Sequence, residues 1–377
     1  MKKVDITYQS SNTIHFLIDD DLKFSWVKKF KTNYNRFFVV IDENVQQQWG
    51  NALIKALKSH QKEVFIFSVK ANENSKNIHF YPKLVKFLEK EKCNLSDLVI
   101  GVGGGIIIDL VSFTCSTYMR GLPMYLIPTT LIGMIDASTA GKTCLSTDEN
   151  KNILGTFYYP KVVYNNISLL KTHSWYFHRQ GLSESFKYGI LCSPKLVDSL
   201  IKYEKNRSDT NLKKLVSLGI DARVEIRNIH PQASNLGHTF GHAIEKMSNY
   251  KILHGDAITV GSAISFYFSK EMGLMSEKTL HKLMNMIKEL KLNVYLDSSY
   301  NVDRWIDLMM ADKKSTSTHL NLVLLKDIYK PYTEKDWPFY KAKPSTVRSF
   351  LKKFMKTYTY LTKNIYRKLK TDSISYD

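Results

Sequence analysis

Cysteine is scarce in this chain: 377 residues hold four, at positions 93, 115, 144 and 192, far apart and without a CxxC pair. That excludes a disulfide framework and a cysteine-rich zinc module, and a reducing, cytoplasmic setting is expected. Long apolar runs are missing too, since no segment approaches the ~18 uncharged residues of a membrane span. The opening MKKVDITYQSSNTIHF carries lysines with no apolar stretch behind them, so no signal peptide is expected. Nine prolines and 17 glycines exclude a collagen, and the mixed composition excludes a disordered chain. Acid is the minority charge: 35 Asp and Glu stand against 54 Lys and Arg, a formal charge of +19. An anionic partner follows, whether small molecule, nucleic acid or membrane surface, and charge alone does not choose among them. What is present, 44% apolar residues over this length, suits a globular protein of two domains.

Between about residues 35 and 170, short apolar runs alternate with amphipathic ones, beginning at FFVVIDEN and continuing through Val64 to Val69. This is the βαβ pattern of a parallel sheet. Residues 81–92 read as an amphipathic helix leading to the buried strand LVIGVGGG, after which IIIDLVSFTCSTY reads as a buried helix. A further strand, MYLIP, opens into TTLIGMIDASTAGKT, expected to be a ligand-holding loop. From about Leu170 the periodicity is helical, which predicts an α/β domain over 1–170 and a helical domain over 171–340. Residues 341–377 hold ten Lys or Arg and two acids, with Phe350, Leu351, Phe354, Tyr358 and Tyr360 between them. They are expected to form a solvated amphipathic helix capping the helical domain, a membrane-surface contact being the minority reading.

Three constellations carry chemistry. Gly101, Gly103, Gly104 and Gly105 lie at a strand-to-helix turn, where backbone N–H groups can approach a pyrophosphate, although the spacing is not GxGxxG. Asp42 and Asn44 follow the first strand of the domain, where ribose hydroxyls are commonly bound, and Asp109 lies four residues past Gly105. In the helical half, His238 and His242 share one helix face, His254 follows, and Glu184 sits among apolar helix positions. Two His and a Glu are a set for a catalytic zinc with an open position, and a third His is then free as acid or base. Lys142, Lys151 beside Asn152, Lys187, the pair Lys313 and Lys314, and Arg120 favour an anionic substrate such as a phosphate ester.

Seven motifs in order, GVGGGIIIDLVSF, TYMRG, IPTTLIGMIDASTAGKT, KNILGTFYYPK, GLSESFKYG, NLGHTFGHAIE and LHGD, make the chain resemble the sugar-phosphate cyclases, and among them the 3-dehydroquinate synthases most closely. The resemblance runs from about Asp42 to Lys314. It implies an α/β plus all-α architecture: an N-terminal Rossmann-like NAD-binding domain, a C-terminal helical metal-binding domain and an active site in the cleft between them. It implies NAD contacts at Asp42, Asn44, Glu73, Lys76, Gly104, Gly105, Asp109, Thr129, Thr130 and Thr172, with Lys151 near both ligands. The metal, Zn2+ or Co2+, would fall to Glu184, His238 and His254, leaving His242 as the catalytic imidazole. Substrate contacts would fall on Asp136, Lys142, Asn152, Lys187, Asn235, Lys313 and Lys314. Arg120 would reach phosphate across a homodimer interface, and no nucleic acid is expected as a partner.

The implied activity is phosphate elimination and aldol cyclisation of a sugar phosphate, with NAD regenerated in each turnover. One departure stands out. Pro231 occupies the position where 3-dehydroquinate synthases carry a carboxylate-binding arginine, in a stretch about six residues shorter, and the family's upstream lysine is either missing or replaced by Arg223. The expected substrate is 3-deoxy-arabino-heptulosonate 7-phosphate with another cation on its carboxylate, the alternative being a carboxylate-free sugar phosphate of the kind taken by 2-deoxy-scyllo-inosose synthase or sedoheptulose 7-phosphate cyclases. An iron-type alcohol or glycerol dehydrogenase is disfavoured by Glu184 and the Lys151–Asn152 pair. A non-catalytic relative is disfavoured by the intact metal and NAD sets.

Overall fold

Four of the six strands of the main sheet follow apolar runs already picked out in the sequence, and the register explains why. The structure is a computed structural model that describes residues 13–29, 33–139, 141–172, 174–297, 299–312, 315–334 and 338–369. β1 (His15–Asp19), β2 (Phe37–Asp42), β3 (Val64–Val69), β4 (Leu98–Gly103), β5 (Met124–Pro128) and β6 (Val162–Asn166) are all parallel, in the order β1-β6-β5-β4-β2-β3. Strands covered on both faces have no polar side to present, so β4 and β6 are buried throughout and β2 nearly so. Phe37, Val39 and Ile41 of β2 share a core with Leu98, Ile100 and Val102 of β4. The edge strand β1, HFLID, is half exposed and pairs in register with β6, His15 opposite Val162. Its weak apolar signal is why the alternation begins only near residue 35.

The chain runs outward from β2 to β3 and returns to β4 on the other side of β2. That reversal is a switch point, where ligands bind at the carboxyl ends of open α/β sheets. Asp42, Gly103 and Thr129 all lie at those ends, with Thr129 N–H donating to the Gly103 carbonyl at 2.9 Å.

The chain divides into two compact units, Met1–Thr129 with Gly141–Leu169, and Thr130–Ala140 with Leu170–Asp377. The stretch expected as a loop of the first domain thus belongs with the second, and residues 131–137 are helical. Leu131, Met134 and Ile135 recur at helical spacing and are buried, which overrides the loop-like composition around them.

The second unit is built on the helices Trp175–Cys192, Pro194–Lys205, Asp209–Ile229, His238–Met247, His254–Glu271, Glu277–Glu289, Val302–Met310 and Pro344–Leu369. Two short antiparallel pairs, Leu320–Leu322 with Tyr340–Ala342 and Leu325–Asp327 with Lys330–Pro331, interrupt the helical pattern. Residues 178–191 of the Trp175–Cys192 helix are buried all round, the signature of a central helix. The basic C-terminal segment enters through its helix: Val347, Phe350, Leu351, Phe354 and Met355 pack in one core with Trp305, Ile264 and Phe240. Among the described residues no helix is long and apolar enough to cross a membrane.

Candidate functional site

In the first unit, the helix Gly105–Thr117 begins at Gly104 with no side chain capping it, so its first amides point beyond the end of β4. Asp42 caps the next helical turn, its Oδ1 accepting the Asn44 N–H at 2.9 Å. One turn into the Gly105–Thr117 helix, Asp109 forms a buried ion pair with Lys76. Burial pushes the Lys76 ammonium downward, but Asp109, Cys144 and Glu73 outweigh it and hold the group above its ordinary value, so it stays charged. The segment after Gly141 folds back on itself, Leu145 bridging Leu154 and Lys142 bridging Phe157, and docks on the 3-10 turn Glu73–Lys76. Ser146 N–H donates to the Lys76 carbonyl at 2.9 Å, and Lys151 meets Glu73 at 3.0 Å. At its tip Asn152 adopts a left-handed backbone (φ 57°), and its buried Oδ1 has no hydrogen-bond partner. These groups fit a dinucleotide: uncapped amides for phosphate, acids for hydroxyls, and charge held ready by Lys76.

In the second unit, His238, His242 and Glu245 occupy one face of the His238–Met247 helix, while Phe240, Ala243 and Ile244 bury the other. The rings of His238 and His254 have centroids 5.5 Å apart, and those of His238 and His242 5.2 Å. Glu184, fully buried, places Oε1 3.6 Å from His254 Nε2, and that oxygen has no hydrogen-bond partner. The ligand atoms of Glu184, His238 and His254 all lie within 4.8 Å of one another. A buried carboxylate oxygen without a donor is costly unless a cation takes it, so this trio fits a metal ion.

The outer partners fix the rings. His238 Nδ1 faces the Leu236 carbonyl at 3.1 Å and His254 Nδ1 faces Glu245 Oε2 at 3.2 Å, which leaves each Nε2 for coordination. A second grouping, His242, Glu245 and His254, is equally compact. Glu245 already engages His254 through the nitrogen turned away from Glu184, so the first trio is the better set. His242 Nδ1 meets Asp312 Oδ2 at 3.0 Å.

Lys187 pairs with Glu184, the two side chains 2% and 0% exposed. Next to it the Tyr188 hydroxyl donates to Asp136 Oδ1 at 2.6 Å, and Arg223 Nε donates to the same oxygen at 2.7 Å. Burial pushes the Asp136 carboxyl up, but Arg223, Lys187 and Tyr188 prevail and hold it well below the usual carboxylate range.

The second unit thus brings together Asp136, Glu184, Lys187, His238, His242 and His254, and the first unit gathers Glu73, Lys76, Asp109 and Lys151. Others stand apart. Asn235 turns its amide to the Gln232 carbonyl at 2.9 Å, Arg120 is exposed on a left-handed backbone (φ 65°), and Lys142 is exposed. Thr130 accepts the Gly133 N–H at 3.1 Å through Oγ1, and Thr172 ends the turn Ile167–Thr172. Lys313 and Lys314 lie outside the described residues. Sequence reasoning missed Glu245, Tyr188 and Asp312. Glu245 repeats the helix face of His238 and His242 seven residues on, and the other two adjoin residues already singled out, so the signal was present in all three.

Residues 66–177 match the family profile of the 3-dehydroquinate synthase N-terminal domain, and residues 181–315 that of the C-terminal domain. A 3-dehydroquinate synthase of Clostridium acetobutylicum is 33% identical over 311 residues, which span 80% of this chain and 86% of the relative. Among solved structures, 2-epi-5-epi-valiolone synthase from Streptomyces hygroscopicus subsp. jinggangensis, with NAD+ and Zn2+ bound, shares the fold at TM-score 0.82 and 22% identity, covering 94% of this chain and 99% of that one. So does a 2-deoxy-scyllo-inosose synthase complexed with carbaglucose-6-phosphate, NAD+ and Co2+, at TM-score 0.81 and 18% identity, covering 90% and 95%. Matched in sequence across both halves, this chain belongs to the 3-dehydroquinate synthase family.

Proposed function

We propose that the chain is a 3-dehydroquinate synthase, a cytoplasmic, homodimeric carbon–oxygen lyase that eliminates phosphate from 3-deoxy-arabino-heptulosonate 7-phosphate and closes the product ring by an intramolecular aldol step. The observation that carries this reading is the buried, unpartnered Glu184 carboxylate oxygen beside His254 and His238, with Lys187 next to it, in a chain of this family. Glu184, His238 and His254 would hold Zn2+ or Co2+. Asp42, Asn44, Glu73, Lys76, Gly104, Gly105, Asp109, Thr129, Thr130, Lys151 and Thr172 would hold NAD. Bound there, NAD would supply a reversible hydride acceptor for a ring carbinol and the metal a Lewis acid for its hydroxyl, with no net redox.

The remaining roles belong to side chains. His242, its Nδ1 directed at Asp312 Oδ2, would be the imidazole that takes and returns protons. By the family's pattern, Lys142, Lys187, Asn152, Arg120, Asn235, Lys313 and Lys314 would be the groups that bind the phosphate and the rest of the substrate. Asp136, engaged at Oδ1, presents Oδ2 to a substrate hydroxyl.

The deciding assay supplies Zn2+ and catalytic NAD to purified protein and follows phosphate from 3-deoxy-arabino-heptulosonate 7-phosphate, glucose 6-phosphate and sedoheptulose 7-phosphate in parallel. Release from the first alone, without accumulation of NADH, is expected. Pro231, at the start of the turn Pro231–Asn235, is the one observation favouring a carboxylate-free substrate. Release from either of the other sugars alone would establish that second reading, and NADH accumulation would return the chain to the dehydrogenases.

A further inference from the structure

The helices that carry Glu184 and His254 meet through a buried ion pair that takes no part in the reading above. Arg179 lies five residues before Glu184 on the Trp175–Cys192 helix, and Asp256 lies in the first turn of the His254–Glu271 helix. Arg179 Nε donates to Asp256 Oδ1 at 3.1 Å and Nη2 to Oδ2 at 2.9 Å. The two side chains are 7% and 2% exposed. The same junction is gripped from a second side, because Gln180 Oε1 accepts the Asp256 N–H at 3.0 Å. A third contact leaves no slack: a Cβ on Gly255 would stand 2.6 Å from the Gln180 carbonyl oxygen and 2.7 Å from its Cα. Residues 255 and 256 are therefore held against residues 179 and 180 by a planar fork, a hydrogen bond from the Asp256 backbone to the Gln180 side chain, and van der Waals contact. Gln180 and Glu184 are one helical turn apart on the same face, so a shift of this junction moves His254 relative to Glu184 directly.

A buried ion pair adds little net stability over apolar packing, because desolvation offsets attraction. A two-pronged guanidinium–carboxylate fork does fix one relative orientation of its carriers. We propose that Arg179 and Asp256 are positioning residues for the metal centre: their fork sets the separation of Glu184 and His254, and with it the affinity and ligand field of the ion. This rests on the metal reading of Glu184, His238 and His254.

The test uses the full-length protein stripped of metal, with Zn2+ affinity measured by competition with a chelating dye and the visible absorption of added Co2+ as the ligand-field readout. Wild type is expected to bind both ions, and Glu184→Ala to abolish binding. If wild type takes up no ion through Glu184, the metal reading falls, and this proposal falls with it. Given that control, Arg179→Lys, which keeps the charge but loses the fork, is expected to bind Zn2+ about tenfold more weakly or worse and to alter the Co2+ band. The pair Arg179→Met with Asp256→Leu removes both buried charges together and is expected to remain folded while showing the same loss. Gly255→Ala, which keeps the fork but displaces the helix start, is expected to weaken Zn2+ binding as well. Folded variants whose Zn2+ affinity stays within about twofold of wild type with an unchanged Co2+ band, whatever their urea midpoint, would overturn the proposal.

Discussion

Glu245 stands one imidazole ring away from the proposed metal site and is expected to tune it. Its carboxylate fixes the His254 ring through Nδ1, and outer partners of this kind are worth about 10- to 100-fold in metal affinity. Glu245→Ala should lower Zn2+ affinity by that order in chelator competition, with the far-UV circular dichroism unchanged. Asp136 offers a stability test. Its folded-state pKa is depressed below the unfolded value, so its stabilising effect is full above the ordinary aspartate range and is lost only as pH falls through the depressed value, at strongly acidic pH. At neutral pH, Asp136→Asn should therefore cost about 1–3 kcal/mol in urea unfolding, because it weakens charged hydrogen bonds to Arg223 and Tyr188. The gap between variant and wild type should persist from pH 8 down to pH 5.

At the scale of elements, what was legible followed the strength of periodicity. Buried strands such as β4 announced themselves by unbroken apolar runs, and the helix bearing His238 and His242 by two interleaved faces. β1 could not be seen, because an edge strand with one wet face takes its identity from its partner β6 rather than from its own residues. The helical stretch 131–137 was hidden by the Thr, Gly, Ser and Asp around it, although Leu131, Met134 and Ile135 carry the helical spacing. The imidazole set was legible because spacing alone puts His238 beside His242. The Arg179–Asp256 fork was not, since it joins residues 77 positions apart with no local signal. Gly237 shows how an element's entry conditions the site. It begins the His238–Met247 helix at φ 77°, and a Cβ there would stand 2.6 Å from the Ser262 nitrogen and 2.7 Å from the Ile258 carbonyl oxygen. Gly237→Ala should destabilise the protein by more than about 1 kcal/mol and weaken Zn2+ binding at the same time, read from urea titrations with and without the ion.

Over the whole molecule, the basic excess that first suggested an anionic partner is spread through the chain, and the C-terminal segment that holds +8 of it is tied to the interior by Val347, Phe350, Leu351, Phe354 and Met355. Removing residues 344–377 should leave the protein insoluble or prone to aggregation on expression, because it uncovers Trp305 and its neighbours, whereas ending the chain after residue 357 keeps all five apolar anchors and should preserve solubility. The path of the chain has a separate consequence. It passes from one compact unit to the other at residues 129–130, 140–141 and 169–170. The middle passage delivers Ile135, which lies against Gly219, and Asp136, which answers Arg223. No single cut therefore yields two intact halves. A protease nick near residue 170 would leave the C-terminal piece without the acid its buried guanidinium requires. A chimera that grafts another first unit onto this second unit must carry residues 130–139 along with the unit that holds Arg223.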